Sequence, residues 1–232
     1  MIEMHAENND PCILAIDASG DQASVALWRD GELLGQSVHD AKHGHAATLV
    51  PMAQQLMADH ELPFAAVTHI AGGRGPGSFT GIRVALAAAK GFCLATGAAP
   101  LGISVLEANA QMAASSGLNN GRHMLITADT RRGSLYAQMF DASGIPLGDI
   151  IDVEPKDVIS RFGLHNDNVV CAGPMVENLT EFSTLNIMLD LPYPDAGQIA
   201  RLAAANIAQN VAPVPLTPLY LAPAFLGPKR AK

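Results

Sequence analysis

Hydrophobic and polar positions alternate with period two at the start of the chain. Residues 12–17 (CILAID) and 23–28 (ASVALW) read as strands, separated by the polar turn Ser19-Gly20-Asp21. Asp30-Gly31 is a short hairpin signal that leads into a third strand over 32–38. The period then changes. Leu49, Met52, Ala53 and Leu56 recur at helical spacing through 46–59, and Pro51, tolerated only in a first turn, predicts a start near Leu49. Next come a short strand over 67–71, a glycine-rich stretch over 72–81, a helix over 79–95 and a buried strand over 100–103. Ser104-Val-Leu-Glu107 has the spacing of a capping box, in which hydroxyl and carboxylate satisfy reciprocal backbone N–H groups. It opens a helix to about residue 115, so the order is βββαβαβα.

The second half repeats that order without repeating the sequence. Strands are predicted over 123–128, 135–141 and 147–153, then a short helix over 155–161 with proline at its start, where proline is favoured. Strands over 169–172 and 185–189 and an alanine-rich helix over 198–209 complete the unit. Pro213, Pro215, Pro218, Pro223 and Pro228 mark an extended C-terminal segment. Two such units predict an α/β protein of two lobes, each a mixed sheet with flanking helices, on the ribonuclease-H-like, actin-type plan. The expected division is a first lobe over 12–103, a second over 104–212 and a proline-rich segment over 213–232.

Composition narrows the function classes. With 49% hydrophobic residues among 232, the chain is too apolar for disorder and long enough for a sizeable core. No apolar run approaches the ~20 residues of a membrane span; the stretch 84–102 is interrupted by Lys90 and Pro100. The opening MIEMHAENNDP is acidic and polar, unlike a secretory or transit peptide, so neither membrane insertion nor export is expected. Fourteen basic against 22 acidic residues give a net charge of −8, and one Trp and three Tyr offer few rings for stacking bases. Direct, strong nucleic-acid binding by this chain alone is not expected; the basic C-terminal GPKRAK reads as a solvated end. Cys12, Cys93 and Cys171 are dispersed among apolar residues and form neither a disulfide framework nor a zinc site. They read as small core residues in a reducing cytoplasm.

Several segments have the residue types for chemistry. Residues 72–81 (GGRGPGSFTG) lie between a strand and a helix, where glycines permit tight turns or close approach to a ligand and a helix N-terminus accepts anions. The stretch fits neither the P-loop nor the G-x-G-x-x-G spacing, and it reads either as a tight loop that sets the helix against the sheet or as a ligand or partner loop. In the helix that follows, the only charges between Ile82 and Ala95 are Arg83 and Lys90, on one narrow stripe, with Ala87, Gly91 and Ala95 as a small-residue row. A helix apolar over most of its circumference must be covered on two sides, by the sheet and by either a neighbouring helix or a second subunit. Asp17 ends the first strand, where actin-type ATPases place a carboxylate near Mg–nucleotide, although Asp17-Ala-Ser-Gly20 lacks the D-x-G-[ST] spacing and also suits a turn.

Of the eight histidines (His5, His39, His43, His45, His60, His69, His123 and His165), only His39 and His43 have i, i+4 spacing. They fall on a connection without an acidic partner and read as non-ligands. No G-x-S-x-G elbow supports a serine nucleophile. Asp129-Thr-Arg-Arg-Gly133 is a polar hairpin tip whose Arg131 and Arg132 either stay on the surface or reach an anion across the cleft between lobes.

ILAIDASGDQASVALW, the helix start at His45 to Pro51, GRGPGSFTGIRVALAAAKG, GISVLEANA, ADTRRGSLYAQMF and the late PLYLAP together resemble the TsaB family of bacterial tRNA threonylcarbamoyladenosine biosynthesis proteins. The resemblance runs from about 12 to 222; the stretch 142–196 has no recognisable motif. It implies a two-lobed actin-like fold of the ASKHA class and a cytoplasmic role in the t6A modification of the adenosine beside the anticodon of tRNA. In that pathway TsaD, a paralogue, transfers the threonylcarbamoyl group from threonylcarbamoyl-adenylate, TsaB is its non-catalytic partner, and TsaE is an ATPase that joins them. The metal-binding histidines of TsaD lie in a segment resembling N-H-L-x-x-H, where this chain has Val105 and Asn109, neither a competent substitute. The implied partners are a TsaD-like subunit, a TsaE-like ATPase, a second copy when the chain is alone, and tRNA only through the complex. ATP and metal are expected on the partners, and no catalytic residue, cofactor or metal here. Pairing through the two helices of the first lobe implies contacts from Leu49, Met52, Leu56, Phe79, Arg83, Ala87 and Lys90. The alternative is an ATP-dependent transferase or hydrolase using Asp17 and the glycine-rich loop.

Overall fold

The computed structural model describes residues 11–40, 45–164, 169–174, 176–179, 188–189 and 191–221. His5, His43 and His165, the first part of the strand expected over 185–189, and Pro223, Pro228 and the basic end at 227–232 lie outside them.

The first three strands form a meander, β1 (Ile13–Asp17), β2 (Ala23–Arg29) and β3 (Glu32–His39), before α1 (His45–Asp59). α1 starts earlier than Pro51 suggests. The proline sits inside the helix on its exposed side, away from the sheet that the helix covers. A 3₁₀ turn over Phe64–Ala66 leads to β4 (His69–Gly73), two residues later than expected, and then to α2 (Phe79–Thr96). Ser78 caps α2 by accepting from the Gly81 N–H at 3.2 Å, and Gly97 ends it in the left-handed region. β5 (Ala99–Ile103) follows, exposed rather than buried at Ala99 and Pro100, because it is an edge strand. α3 (Val105–Ser115) takes the Ser104 half of the expected capping box, Glu107 N–H to Ser104 Oγ at 3.4 Å.

The second half has β6 (His123–Asp129), β7 (Leu135–Phe140), β8 (Ile151–Val153), a 3₁₀ turn over Pro155–Asp157, α4 (Val158–Phe162), β9 (Val169–Ala172), β10 (Met188–Leu189) and α5 (Ala196–Ala208). β8 is shorter than predicted. Pro146 bridges to Phe140, and Gln138 Nε2 donates to the Gly148 carbonyl, so the chain before Ile151 is irregular.

The two sheets share one plan. The first has the order β3-β2-β1-β4-β5 and the second β8-β7-β6-β9-β10; in each, an antiparallel meander is extended by two parallel strands. α1 and α2 cover one face of the first sheet, with Leu14, Ile16, Val25 and Leu27 packed against Leu49, Leu56, Met57 and Leu86. Its other face is covered by α5, which comes from the 104–212 segment: Ile199, Ala200, Leu202 and Ala203 pack on Ile13, Ala15, Ala26 and Ala71. α3 packs on the second sheet through Leu106, Ala110 and Ala113, and α4 supplies Val158 to its opposite face.

Candidate functional site

Two features that a partner or ligand can use are the outer face of α2 and the cleft between the sheets. α2 has no acidic residue and buries Gly81, Ile82, Ala85, Leu86 and Ala89. Outward it presents Phe79 (55% exposed), Arg83, Ala87, Lys90, Gly91 and Leu94 (89% exposed). By length and composition alone this 18-residue helix is apolar enough to cross a membrane, yet only 28% of it is buried in the chain's own core. The apolar excess therefore lies on the surface. Of the seven residues expected there, the structure removes two. Leu49 and Leu56 are buried against the sheet, because the Leu49–Ala53–Leu56–Met57 stripe is the inward face of α1. Met52 is half-buried beside them, and Val50, Gln54 and Ala58 face outward instead. The pattern reading omits Leu94, although it lies one heptad beyond Ala87.

It omits Tyr220 as well. The Arg83 guanidinium lies 3.7 Å from the Phe79 ring centroid and donates from Nε (3.2 Å) and Nη2 (3.0 Å) to the Tyr220 hydroxyl. Tyr220 is brought there by the C-terminal segment, which is tied to the first lobe at several points. Gly102 N–H donates to the Val214 carbonyl (2.7 Å), Arg74 Nε to the Thr217 carbonyl (2.8 Å) and Leu219 N–H to the Arg74 carbonyl (2.9 Å). Leu216 is 3% exposed in the core beside Leu86.

The cleft, of about 450 Å³, is walled by Asp17, Gly20, Asp21 and Ser24 of the first lobe and by Asp129, Arg131 and residues 191–195. Asp17 sits in its wall, 2% exposed, with Oδ2 accepting from the Ser19 N–H (2.9 Å) and hydroxyl (2.8 Å). The cleft is held by its own side chains. Tyr193 packs on Gly20 so closely that a β-carbon added there would come within 2.7 Å of the Tyr193 Cβ. Arg131, its N–H bonded to Asp129 Oδ1 in a left-handed turn, spans the gap to Asp21 at 2.9 Å. Arg132 turns away from the cleft, to Asp152 (2.9 Å) and the Tyr136 hydroxyl (3.2 Å).

Two helix N-termini lie near the cleft, and each is engaged by the chain's own groups. Asp195 and Gln198 form a complete capping box at the start of α5 (3.1 and 2.8 Å). The glycine-rich loop packs its backbone on the first turn: Ser78 N–H donates to the Ser19 carbonyl at 2.7 Å, and a β-carbon at Gly77 or Gly81 would overlap the carbonyl oxygen of Ser19 or Ala18. Val105 and Asn109 are buried, the Asn109 amide donating to the Pro192 carbonyl at 3.3 Å. Among the described residues, no group of three or more His, Cys, Asp or Glu side chains could hold a metal ion.

Burial pushes the Asp17 carboxyl up to about 7, against the Ser19 hydrogen bonds and with help from Asp195. Its folded-state pKa thus lies above that of the unfolded chain, so the stability linked to its proton is complete at acidic pH and lost as pH rises through 7. Asp17→Asn is expected to stabilise the chain by on the order of a few kcal/mol at pH about 8, and much less at pH about 4. Urea unfolding at both pH values measures this; an equal shift at both would show that Asp17 ionisation carries no cost.

The duplicated sheet order and the interlobe cleft define an actin-like protein of the ASKHA class. Comparison with known proteins specifies it further. Residues 36–231 match the family model for TsaD: tRNA N6-adenosine threonylcarbamoyltransferase. The tRNA threonylcarbamoyladenosine biosynthesis protein TsaB of Haemophilus influenzae is 27% identical over 90% of this chain and 92% of its own. TsaB of Escherichia coli is 34% identical, with the match spanning 53% of this chain and about half (52%) of that protein. The structure of YeaZ from Pseudomonas aeruginosa superimposes with a TM-score of 0.77 at 27% identity, covering 91% of this chain and 100% of that one. The chain belongs to the TsaB/YeaZ family of t6A biosynthesis proteins, related to TsaD.

Proposed function

We propose that this chain is the non-catalytic subunit that binds and activates a TsaD-like catalytic subunit for threonylcarbamoyl transfer to the adenosine beside the tRNA anticodon. The observation that carries the reading is the outer face of α2, an uncharged strip from Phe79 to Leu94 apart from Arg83 and Lys90, exposed on a helix too apolar for a solvated surface. The cleft supports it from the other side. Beside Asp17, the carboxyls of Asp21, Asp129 and Asp195 outnumber Arg131, the one lining cation among the described residues, a poor environment for a polyphosphate. ATP hydrolysis then falls to a TsaE-like ATPase, tRNA is met through the assembled complex in the cytoplasm, and a second copy takes the α2 face when no partner is present.

The test is t6A formation on tRNA in a mixture of TsaD, TsaE, ATP and threonylcarbamoyl-adenylate, with and without this chain. Modification is expected only when both this chain and TsaD are present. Modification by this chain without TsaD would establish it instead as a transferase in its own right, with the Asp17 cleft as the place to look. No change on adding the chain would remove the subunit reading.

A further inference from the structure

Arg83 is the most constrained exposed cation of the α2 face. Its guanidinium is stacked on Phe79 and hydrogen-bonded through two nitrogens to Tyr220, itself 60% exposed. Two exposed rings holding an arginine flat on a surface have the composition of an interface anchor, since little side-chain entropy remains to be lost on binding. Charge says what it takes. The chain carries an excess of acidic residues, 22 against 14, yet α2 has none and α1 has only Asp59 at its last position. The face is a basic strip on an acidic protein, with Arg83 and Lys90 one heptad apart on the same side of the helix.

We propose, resting on the partner reading above, that residues 213–221 are a working part of the partner surface. By fixing Tyr220 on Arg83 they hold the guanidinium as a receptor for a carboxylate of the TsaD-like subunit, with Lys90 receiving a second one heptad along. The same pair makes self-pairing the weaker of the two, confined to the chain without its partner. In a two-fold antiparallel contact centred between Leu86 and Ala87, Arg83 of one copy meets Lys90 of the other, and like charges at an interface are costly. A partner with two carboxylates at that spacing meets no such penalty. Tyr220 is a positioning residue here, acting through Arg83.

The full-length chain and the TsaD-like subunit are titrated by calorimetry at low and high salt, and self-association is followed by sedimentation. Tyr220→Phe is expected to weaken pairing about fivefold, to lower its salt dependence, and to have no effect in an Arg83→Ala background. Arg83→Glu is expected to weaken pairing with the TsaD-like subunit by more than about a hundredfold and to strengthen self-association, because the new carboxylate would then face Lys90 of the other copy. Unchanged affinity and salt dependence for Tyr220→Phe would overturn the role of the C-terminal segment. Unchanged pairing for Arg83→Glu would overturn the carboxylate receptor. Ala87→Glu separates these from the underlying reading: if it abolishes pairing while the other two have no effect, the face stands and this inference falls, and if it too has no effect, both fall.

Discussion

Ala87→Glu is expected to abolish association with the TsaD-like subunit and leave the chain folded. Ala87 is exposed at the middle of the α2 strip, four residues after Arg83 and three before Lys90. In the free chain the new carboxylate reaches both cations at helical spacing, which stabilises an isolated helix by a few tenths of a kcal/mol. In the complex it loses its water and competes with the partner's own carboxylates for Arg83 and Lys90, so that one of the buried charges is left without a counter-ion. Leaving a buried charge unpaired costs about 3–5 kcal/mol, equivalent to a loss of a hundredfold or more in affinity. Sedimentation of the mixed subunits reads the association, and circular dichroism reads the fold. Undiminished association would place the partner elsewhere on the molecule.

Gly81→Ala has the second largest expected effect, on stability rather than pairing. Alanine is a better helix former than glycine by about 1 kcal/mol, so propensity alone argues for stabilisation. Sterics oppose it. A β-carbon at Gly81 would overlap the Ala18 carbonyl oxygen, a backbone atom of the first turn that cannot rotate away, and would lie 3.1 Å from Ser78 Oγ, which caps the helix. Overpacking of this kind costs about 1–3 kcal/mol, more where backbone must move, so the net effect is a loss of about 2 kcal/mol. For a domain of this size that lowers Tm by roughly 4–8 °C. Gly91, with nothing within 4 Å of its added β-carbon, is the control. Gly91→Ala in the same helix should raise Tm slightly, and a Gly81→Ala protein as stable as the parent would show that the loop is not packed as described.

The sequence pattern locates the elements well and their partners less well. The meanders, the strand over 169–172 and the end of α3 follow from local periodicity, which depends only on near neighbours. Orientation does not. The Leu49–Leu56 stripe announces an apolar face on α1, but α2 is apolar on nearly all sides, so pattern alone cannot say which of its stripes turns inward; the burial of Ile82, Ala85, Leu86 and Ala89 decides it. Likewise Ile199, Leu202 and Ala203 mark a buried face on α5 without naming the sheet that buries it. The capping box at Asp195 is written in the sequence as Asp-x-x-Gln before an apolar run, and an expected helix start at 198 passes over it. At the candidate surface, Ala87 and Arg83 are legible from their helical positions, whereas Tyr220 is not. Its place beside Arg83 is set by hydrogen bonds between residues 137 apart in sequence.

The docking of α5 on the first sheet also orders events during synthesis. The strands of that sheet are complete once Ile103 has been made, with α1 and α2 available for one face. The other face, with Ile13, Ala15, Ala26 and Ala71, waits for residues 196–208. A nascent chain that has already made its first lobe's strands therefore exposes an apolar surface until residues 196–208 have emerged, and the first sheet is covered after the strands of the second have been synthesised. A first lobe made alone would leave that face uncovered, so chains that stop short of α5 carry the exposed apolar surface that favours aggregation.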